Sequence, residues 1–568
     1  MVRKGQPKVR TGCYTCKLRK VKCDEARPFC DRCLRTGRTC AGYPPAALIS
    51  KNVKRASSSP TIVPSQPRDL VGGAENPLET RSLHYFCVHA PILVGGLDPY
   101  FWTNLSLQFS SSVPAVRHSL IAISSLFEQL GGTGPCTPSS LRHNTFALTH
   151  YNAAIYELKH TMRDQDQAVV LVVCILFICI EFMQTNAKAA IRHCRHGLLL
   201  LRSLGKVQSW VKDSICPNFH RLSLVPLMFD GLHVSDVPML PFDDAVLVRG
   251  FWSVTEARTS LDVVLSRILR LIHEAADHHQ SLTASEQEIR SASLVAKQEA
   301  VMQTMGRWHK SYEAFDMDVG QHPQTTIFKK YRMSHKDMHR ALTLTLELRF
   351  ELCKVLAATA LRDDDDCFDE HDGSLRNMAA MAEAMLSSVS AESREIQATQ
   401  PYHFLFETGQ PLPMFFVAVK CRDFGVRRRA LTCLQWLSVQ REGLWHTASA
   451  VAVAKKVVER EHGVVLDGQF EVWGEEPLHP GQAPESTRIR MHWLDLVQLH
   501  LLDDARTMTA EELFGHAGRR GSACSSLEEG SVWETDESVT GATTSTDPAT
   551  SPLRHSPGND EHHQYHQP

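Results

Sequence analysis

What this 568-residue chain lacks narrows its class before any motif is read. Its longest apolar run, Ala168 to Ile180, holds thirteen residues before Glu181, short of the roughly 20 that a membrane-spanning helix needs. That run reads as a buried core helix, and no membrane partner is expected. The opening stretch MVRKGQPKVR carries charge but no apolar segment behind it, so no secretory signal is expected and the protein should stay inside the cell. The glycine pairs at 72, 95 and 131 do not build a phosphate-binding loop, and no G-x-S-x-G, H-E-x-x-H or kinase-type set occurs. No catalytic constellation emerges, and no enzyme is expected.

Net charge is also nearly absent, at -2, with 43% hydrophobic and 22% charged residues, the average of a soluble protein. The average conceals an asymmetry. Residues 1 to 55 hold fifteen Lys/Arg against Asp24, Glu25 and Asp31, a net of +12, whereas the remainder nets -14. A basic end of this strength suits a polyanion. At this length one core rarely suffices, so several compact units with linkers are expected.

Cysteine, by contrast, is plentiful at seventeen residues. A reducing compartment excludes a disulfide framework, leaving ligands or core thiols. Eleven are scattered, several within apolar stretches where a thiol behaves as a small hydrophobe. The other six, Cys13, Cys16, Cys23, Cys30, Cys33 and Cys40, follow the spacing C-x2-C-x6-C-x6-C-x2-C-x6-C, two half-motifs in 28 residues. A C-x-x-C pair turns two thiolates toward one soft metal, and zinc takes four such ligands in a tetrahedron. Six thiolates satisfy two zinc ions only if two of them bridge, which predicts a binuclear cluster. A redox dithiol needs one such pair beside a strand-helix-strand pattern, and a zinc module for protein contacts is the remaining alternative. With little apolar material of its own (Leu18, Val21, Phe29, Leu34), the module must draw its fold from zinc, worth about 10 to 16 kcal/mol in structural sites.

The segment TGCYTCKLRKVKCDEARPFCDRCLRTGRTCAGY resembles, at every cysteine, the fungal binuclear zinc-cluster transcription factors. The resemblance implies that Cys13 and Cys30 bridge, that Cys16 and Cys23 complete one zinc, and that Cys33 and Cys40 complete the other. It places Pro28 in the loop joining the half-motifs. The run Lys17-Leu18-Arg19-Lys20-Val21-Lys22 holds good helix formers after a metal-anchored turn and predicts a short helix. The resemblance puts that helix in the major groove, with Arg19 and Lys20 reading a CGG-type triplet. Donation to guanine O6 and N7 suits those side chains, at about 1 to 3 kcal/mol of discrimination. Lys17 and Lys22, with Arg27, Arg32, Arg35 and Arg38, are expected to meet phosphates.

Residues 44–77 turn polar and proline-rich and read as a disordered linker. The basic groups at 17–22 and 51–55 suit nuclear import or DNA contact equally. Many family members dimerise through a coiled coil here, yet no a/d heptad lies between residues 41 and 80.

From Leu78 to Phe514 the pattern is helical. Val116, Leu120, Ile123, Phe127 and Leu130 step along one face behind Ser111-Ser112-Val113-Pro114; Leu148, Tyr151, Ile155, Leu158 and Met162 do the same, as do residues from Ala187 to Leu201 before Gly205. An all-α array of stacked helices is the simplest architecture. The stretch HYFCVHAPILVGGLDPYFWTNLSLQFSSSVPAVRHSLIAISSLFE, with FALTHYNAAIYEL and VVLVVCILFICIEFM, is similar to the regulatory domain of zinc-cluster factors that include sterol-uptake and secondary-metabolite cluster regulators. That likeness implies a helical regulatory domain which in some members binds an effector.

Lesser signals have plain readings. His193-Cys194-Arg195-His196 lies within a helix and reads as core plus solvent face. Asp363 to Asp366 with Asp369, Glu370 and Asp372 lack the glycine and spacing of a calcium loop and read as solvated acid. The tail from 515 is Ser/Thr/Pro/Gly-rich, ends in a histidine cluster (His562, His563, His566), and contains SSLEEGSVWETDES, whose mix of acid with Leu527 and Trp533 suits an activation segment or a solubilising tail.

The expectation is therefore a zinc-cluster DNA-binding domain at 1–43, a flexible linker at 44–77, an all-α regulatory domain at 78–514 and a disordered tail at 515–568. Its work would be nuclear, sequence-specific transcription regulation with two zinc ions, with duplex DNA and the transcription machinery as partners. The likeness leaves room for an effector, a homodimer and control of a secondary-metabolite cluster. The alternative is a helical effector-binding protein or enzyme for which the cluster is a targeting or protein-interaction arm.

Overall fold

The computed structural model describes residues 12–19, 21–26, 29–42, 76–93, 100–131, 138–160, 167–205, 207–229, 236–276, 284–315, 335–362, 364–388, 404–406, 411–437, 441–470, 481–502 and 505–517. The linker and tail readings, the basic group at 51–55, the heptad search and the histidine cluster fall almost wholly outside these residues, as do Lys20, Arg27 and Pro28.

Two five-residue helices, α1 (Tyr14–Leu18) and α2 (Asp31–Arg35), belong to the cysteine module. The body is helical as expected: α3 (Pro77–Leu93), a π-helical turn (Phe101–Leu105) running into α4 (Ser106–Ser110), α5 (Pro114–Leu130), α6 (Pro138–Arg142), α7 (Thr145–His160), α8 (Gln167–Met183) and α9 (Ala187–Ser203). The short helices α10 (Ser209–Ser214), α11 (Cys216–Leu222), α12 (Leu224–Phe229) and α13 (Val246–Arg249) lead to the long α14 (Val254–Ala276), α15 (Ala284–Glu313) and α16 (His335–Thr359). Then come α17 (Asp372–Ser388), α18 (Pro411–Lys420), α19 (Phe424–Leu437), a two-residue hairpin, α20 (Thr447–His462), α21 (Trp493–Leu499) and α22 (Ala510–Ala517). The cysteine module and these helices form one unit, Met1–Arg520.

The thirteen-residue apolar run forms most of α8, which is buried from Leu171 to Met183 apart from half-buried Cys174 and is packed between α5 and α9. No described helix is long and apolar enough to cross a membrane. Pro114 opens α5 at its first turn, where its missing N–H leaves no intrahelical bond unmade. Asn186 caps α9 by accepting from the Ala189 N–H at 3.3 Å. The α7 stripe is rotated from its expected face. Ala147, His150, Tyr151 and Ala154 are buried, while Ile155 and Leu158 are only partly so. The small alanines let α7 lie close against α5, and His150 meets His118 there, Nδ1 to Nδ1, at 3.0 Å.

Cys194 is buried on α9 and His193 leans on Phe177, so this tetrad is core plus surface, as read. The acidic run is not simply solvated. Asp365–His371 is a 3-10 turn whose acids meet bases from distant parts of the chain: Asp365 meets the buried Lys420 at 2.6 Å, Asp369 meets Arg422 at 2.8 Å, and Asp366 meets Arg488 at 2.9 Å. Those bases stand more than fifty residues downstream. No local pattern reveals such a partnership.

Candidate metal centre and nucleic-acid interface

The module is built twice on the same local logic. In each C-x-x-C the first sulfur sits at the N-cap of a helix and accepts the backbone N–H three residues on: Cys16 N to Cys13 Sγ at 3.3 Å, and Cys33 N to Cys30 Sγ at 3.3 Å. A sulfur thus does what a Ser or Asp cap usually does. The first helix therefore spans Tyr14–Leu18, beginning at the cysteine turn rather than after Cys16; Val21 to Ala26 then run without regular structure toward Cys23 and beyond. The N–H of Cys13 reaches Cys23 Sγ at 3.4 Å, and backbone N–H groups of Cys30 and Gly42 meet Cys40 in the second half.

All six sulfurs are buried and converge. Those of Cys13, Cys16, Cys23 and Cys30 lie within 4.8 Å of one another, and so do those of Cys13, Cys30, Cys33 and Cys40. Cys13 and Cys30 are common to both groups and 3.6 Å apart. Neighbouring contacts are 3.7 Å (Cys16 to Cys30) and 3.8 Å (Cys13 to Cys33), with Cys16 and Cys33 also 3.8 Å apart. Sulfurs at the corners of a tetrahedron about 2.3 Å from zinc are about 3.8 Å from one another. The donor set fits a soft metal. Burial pushes the Cys16 and Cys40 thiols up to about 12 and Cys33 higher still, so the ionised form these ligands need must be secured by metal charge.

Three residues that the spacing did not single out close this site. A Cβ on Gly12 would stand 2.8 Å from Cys23 Cβ, so only glycine fits beside that ligand. Asp24 accepts from the N–H groups of Asp31 (2.9 Å) and Arg32 (2.7 Å), tying the first half-motif to the N-terminus of α2. Desolvation works against its charge, but the Arg32, Ala26 and Asp31 N–H groups prevail and hold its carboxyl below the ordinary range. Thr15 joins the two ends of the module, donating to the Thr39 carbonyl at 2.9 Å and accepting from Ala41 N at 2.8 Å. An acid directly after a ligand cysteine and before a second C-x-x-C was the available signal for Asp24.

The basic side chains remain largely at the surface. Lys22, Arg32, Arg35 and Arg38 are exposed. Arg19 is half-buried and its Nη1 reaches Thr36 Oγ1 at 3.4 Å, so it spans from the end of α1 to α2. Lys17 lies on α1, with its side chain outside the described residues, as is the whole of Lys20. Asp31 meets Arg35 at 3.5 Å in an exposed pair that holds little energy.

Phe29, expected to serve the module's own interior, instead faces the helical body. Its ring packs 5.2 Å from Trp210 and 5.9 Å from Phe109, themselves 5.6 Å apart. Tyr100 donates its hydroxyl to the Cys40 carbonyl, and Gly42 backs onto Gln108. This seat lies beside Phe29 and Cys40, leaving the basic side chains named above at the surface.

Comparison with known proteins agrees with this geometry. Residues 11–48 match the fungal Zn(2)-Cys(6) binuclear cluster domain, and residues 83–243 match the fungal specific transcription factor domain. Two segments of the chain are therefore similar to domains of fungal transcription factors. Among its relatives is an aspercryptin biosynthesis cluster-specific transcription regulator from Emericella nidulans, 25% identical over 338 residues, 55% of each chain. A transcription regulator, lscL, from Purpureocillium lilacinum is 27% identical over 209 residues, 32% of this chain and 46% of the relative. The transcriptional regulatory protein moc3 of Schizosaccharomyces pombe is 39% identical over 64 residues, 11% of this chain and 13% of its own. The chain spans about half the length of the first two of these relatives. Their names are those of transcription regulators and not of enzymes. No solved structure matches the chain.

Proposed function

We propose that this protein is a nuclear, sequence-specific DNA-binding regulator of RNA polymerase II promoters that reads CGG-type triplets through its zinc cluster. The observation that carries the reading is the convergence of six sulfurs into two four-ligand groups sharing Cys13 and Cys30, beneath a surface of exposed Lys and Arg. Two zinc ions would be held by these six residues, with Cys13 and Cys30 shared between them, Cys16 and Cys23 completing one site, and Cys33 and Cys40 the other. Zinc supplies the charge that keeps the buried thiolates ionised and fixes the fold of a module with little apolar core. Arg19 and Lys20 then read bases, while Lys17 and Lys22 hold phosphates.

In this reading, residues 1–43 bind DNA, 44–77 link, 78–514 regulate, and 515–568 form a tail that meets the transcription machinery. The similarity to a cluster-specific regulator supports control of a secondary-metabolite gene cluster. An effector and a second copy of the chain are further partners of the helical body.

The test is a titration of the full chain against CGG-bearing and scrambled duplexes over a range of salt, with zinc and after chelation. Arg19→Ala and Lys20→Ala should each lose about 1 to 3 kcal/mol of preference for CGG. They should keep most of the salt slope, which Lys22→Ala should lower by about 0.9. Equal affinity for both duplexes, or binding that survives chelation, rejects base reading by this cluster and moves attention to the helical body.

A further inference from the structure

Helices α15, α16 and α17 border a cavity of about 790 Å³. Its wall is a run of nearly parallel rings: Tyr312 lies on Trp308 at 4.9 Å and 11°, Trp308 on Phe350 at 5.0 Å and 18°, and Phe350 on His309 at 5.1 Å and 15°. The wall is anchored from behind. Trp308 is fully buried and its Nε1 donates to the Ala257 carbonyl of α14 at 2.9 Å. Met302, Met305 and Met381 add polarizable, adaptable lining.

The polar lining is acidic. Glu313, Glu347 and Glu351 face two bases, His309 and Lys354, and both bases are engaged. Lys354 Nζ lies 3.0 Å and 3.1 Å from the Glu351 oxygens, and His309 Nε2 lies 3.4 Å from Glu313. Glu347 has no cationic side chain in ion-pair range among the described residues; its contact is the Tyr312 hydroxyl at 3.5 Å. Burial holds its carboxyl above the ordinary range with Glu351 adding to it, against the pull of the Tyr312 hydroxyl and, more weakly, of His309. A carboxylate so placed gains from a cation brought alongside it.

We propose that this cavity is a binding site for a small, flat, cationic aromatic molecule, which packs on the partly exposed Tyr312 and Phe350 rings that the buried Trp308 backs, and sets its positive charge against Glu347. The volume is that of small-molecule sites. Offset stacking on aromatic faces is worth about 0.5 to 1.5 kcal/mol per pair beyond burial, and a cation over a ring adds to it. An anionic or purely aliphatic ligand would meet repulsion from the acids or forgo the stacking. The inference stands on the cavity alone and does not depend on which DNA the cluster reads.

The experiment uses the full, zinc-loaded chain without DNA and proflavine, a flat tricycle that is cationic at neutral pH, as the probe. Acridine, the same tricycle without the charge, and the anion 1-anilinonaphthalene-8-sulfonate serve as comparisons. Proflavine should bind one per chain and quench tryptophan emission, and acridine should bind about tenfold more weakly. Glu347→Gln should weaken proflavine about tenfold and leave acridine unchanged. Phe350→Leu should weaken both, and the remote control Glu128→Gln, on α5, neither. Melting temperature and zinc content, measured on each variant, separate a lost site from a lost fold. Preference for the anion, stoichiometry well above one, or a fully folded Glu347→Gln chain that binds proflavine as tightly as the parent would overturn the proposal.

Discussion

Replacing Gly12 by alanine tests how closely the fold is fitted to the metal. The added Cβ would stand 2.8 Å from Cys23 Cβ and 3.8 Å from its sulfur. Carbon atoms in good contact are about 3.5 to 4.0 Å apart, so the backbone at Cys23 must withdraw by about 0.7 Å or more. Zinc sites tolerate only about 0.2 Å in ligand distance. Cys23 should therefore leave its ion, and the Cys13 N–H to Cys23 Sγ bond should go with it. One thiolate in four, from a site worth about 10 to 16 kcal/mol, is about 2.5 to 4 kcal/mol, or two to three orders of magnitude in affinity for that ion. The control is Gly37→Ala. Gly37 has φ +63° and nothing within 4 Å of an added Cβ, so alanine there meets backbone strain of about 1 to 2 kcal/mol without touching a ligand. Competition of the full chain with a chromophoric chelator reads both. If the proposed two zinc ions are bound, Gly12→Ala should surrender one of them at a chelator concentration where the parent and Gly37→Ala keep both. Parent-like zinc retention in Gly12→Ala would refute the argument, and equal loss in both variants would point to general loosening instead.

Other perturbations reach different parts of the molecule. Phe29→Ala removes a buried ring between Phe109 and Trp210, a loss of about 3 to 5 kcal/mol in the seating of the cluster; tryptophan emission should shift red, the shift should vanish in a Trp210→Phe background, and zinc content should hold. Arg427 and Glu461 pair at 2.6 Å in the interior, so Glu461→Gln should lower stability by about 3 to 5 kcal/mol, whereas replacing both by apolar residues should recover much of it in melting experiments. Burial holds His193, His220 and His446 down to about 4 from an ordinary 6.5. Between those values the unfolded chain binds protons that the folded chain refuses, so stability should fall as pH drops from about 6.5 toward 4, by at most about 1.4 kcal/mol per pH unit for each histidine. Glu181, raised by burial, acts in the opposite sense over its own range, and a melting curve that rises throughout acidification would contradict the histidine account.

The cysteine module was legible because its information is local. A C-x-x-C turn is set by four residues, so the spacing predicted a binuclear cluster of these six cysteines, and the two sulfur groups share the Cys13 and Cys30 that the resemblance named. Periodicity likewise marked α5 and α9, whose apolar residues repeat at helical intervals whatever they pack against, and an unbroken apolar run marked α8. The α7 stripe was misplaced because closeness to α5, rather than side-chain size, chose its buried face. What the sequence could not decide rests on contacts between residues far apart in the chain. Phe29 looked like core for a small module and instead seats that module on α4 and α10. The acids after Asp363 looked solvated until Lys420, Arg422 and Arg488 were brought to them. The ring wall of Trp308 and Phe350 joins two helices whose residues stand about forty apart. A linear pattern records which faces are apolar and which residues can ligate; the choice among apolar or charged partners is made by chain closure and packing, and only the tertiary structure reports it.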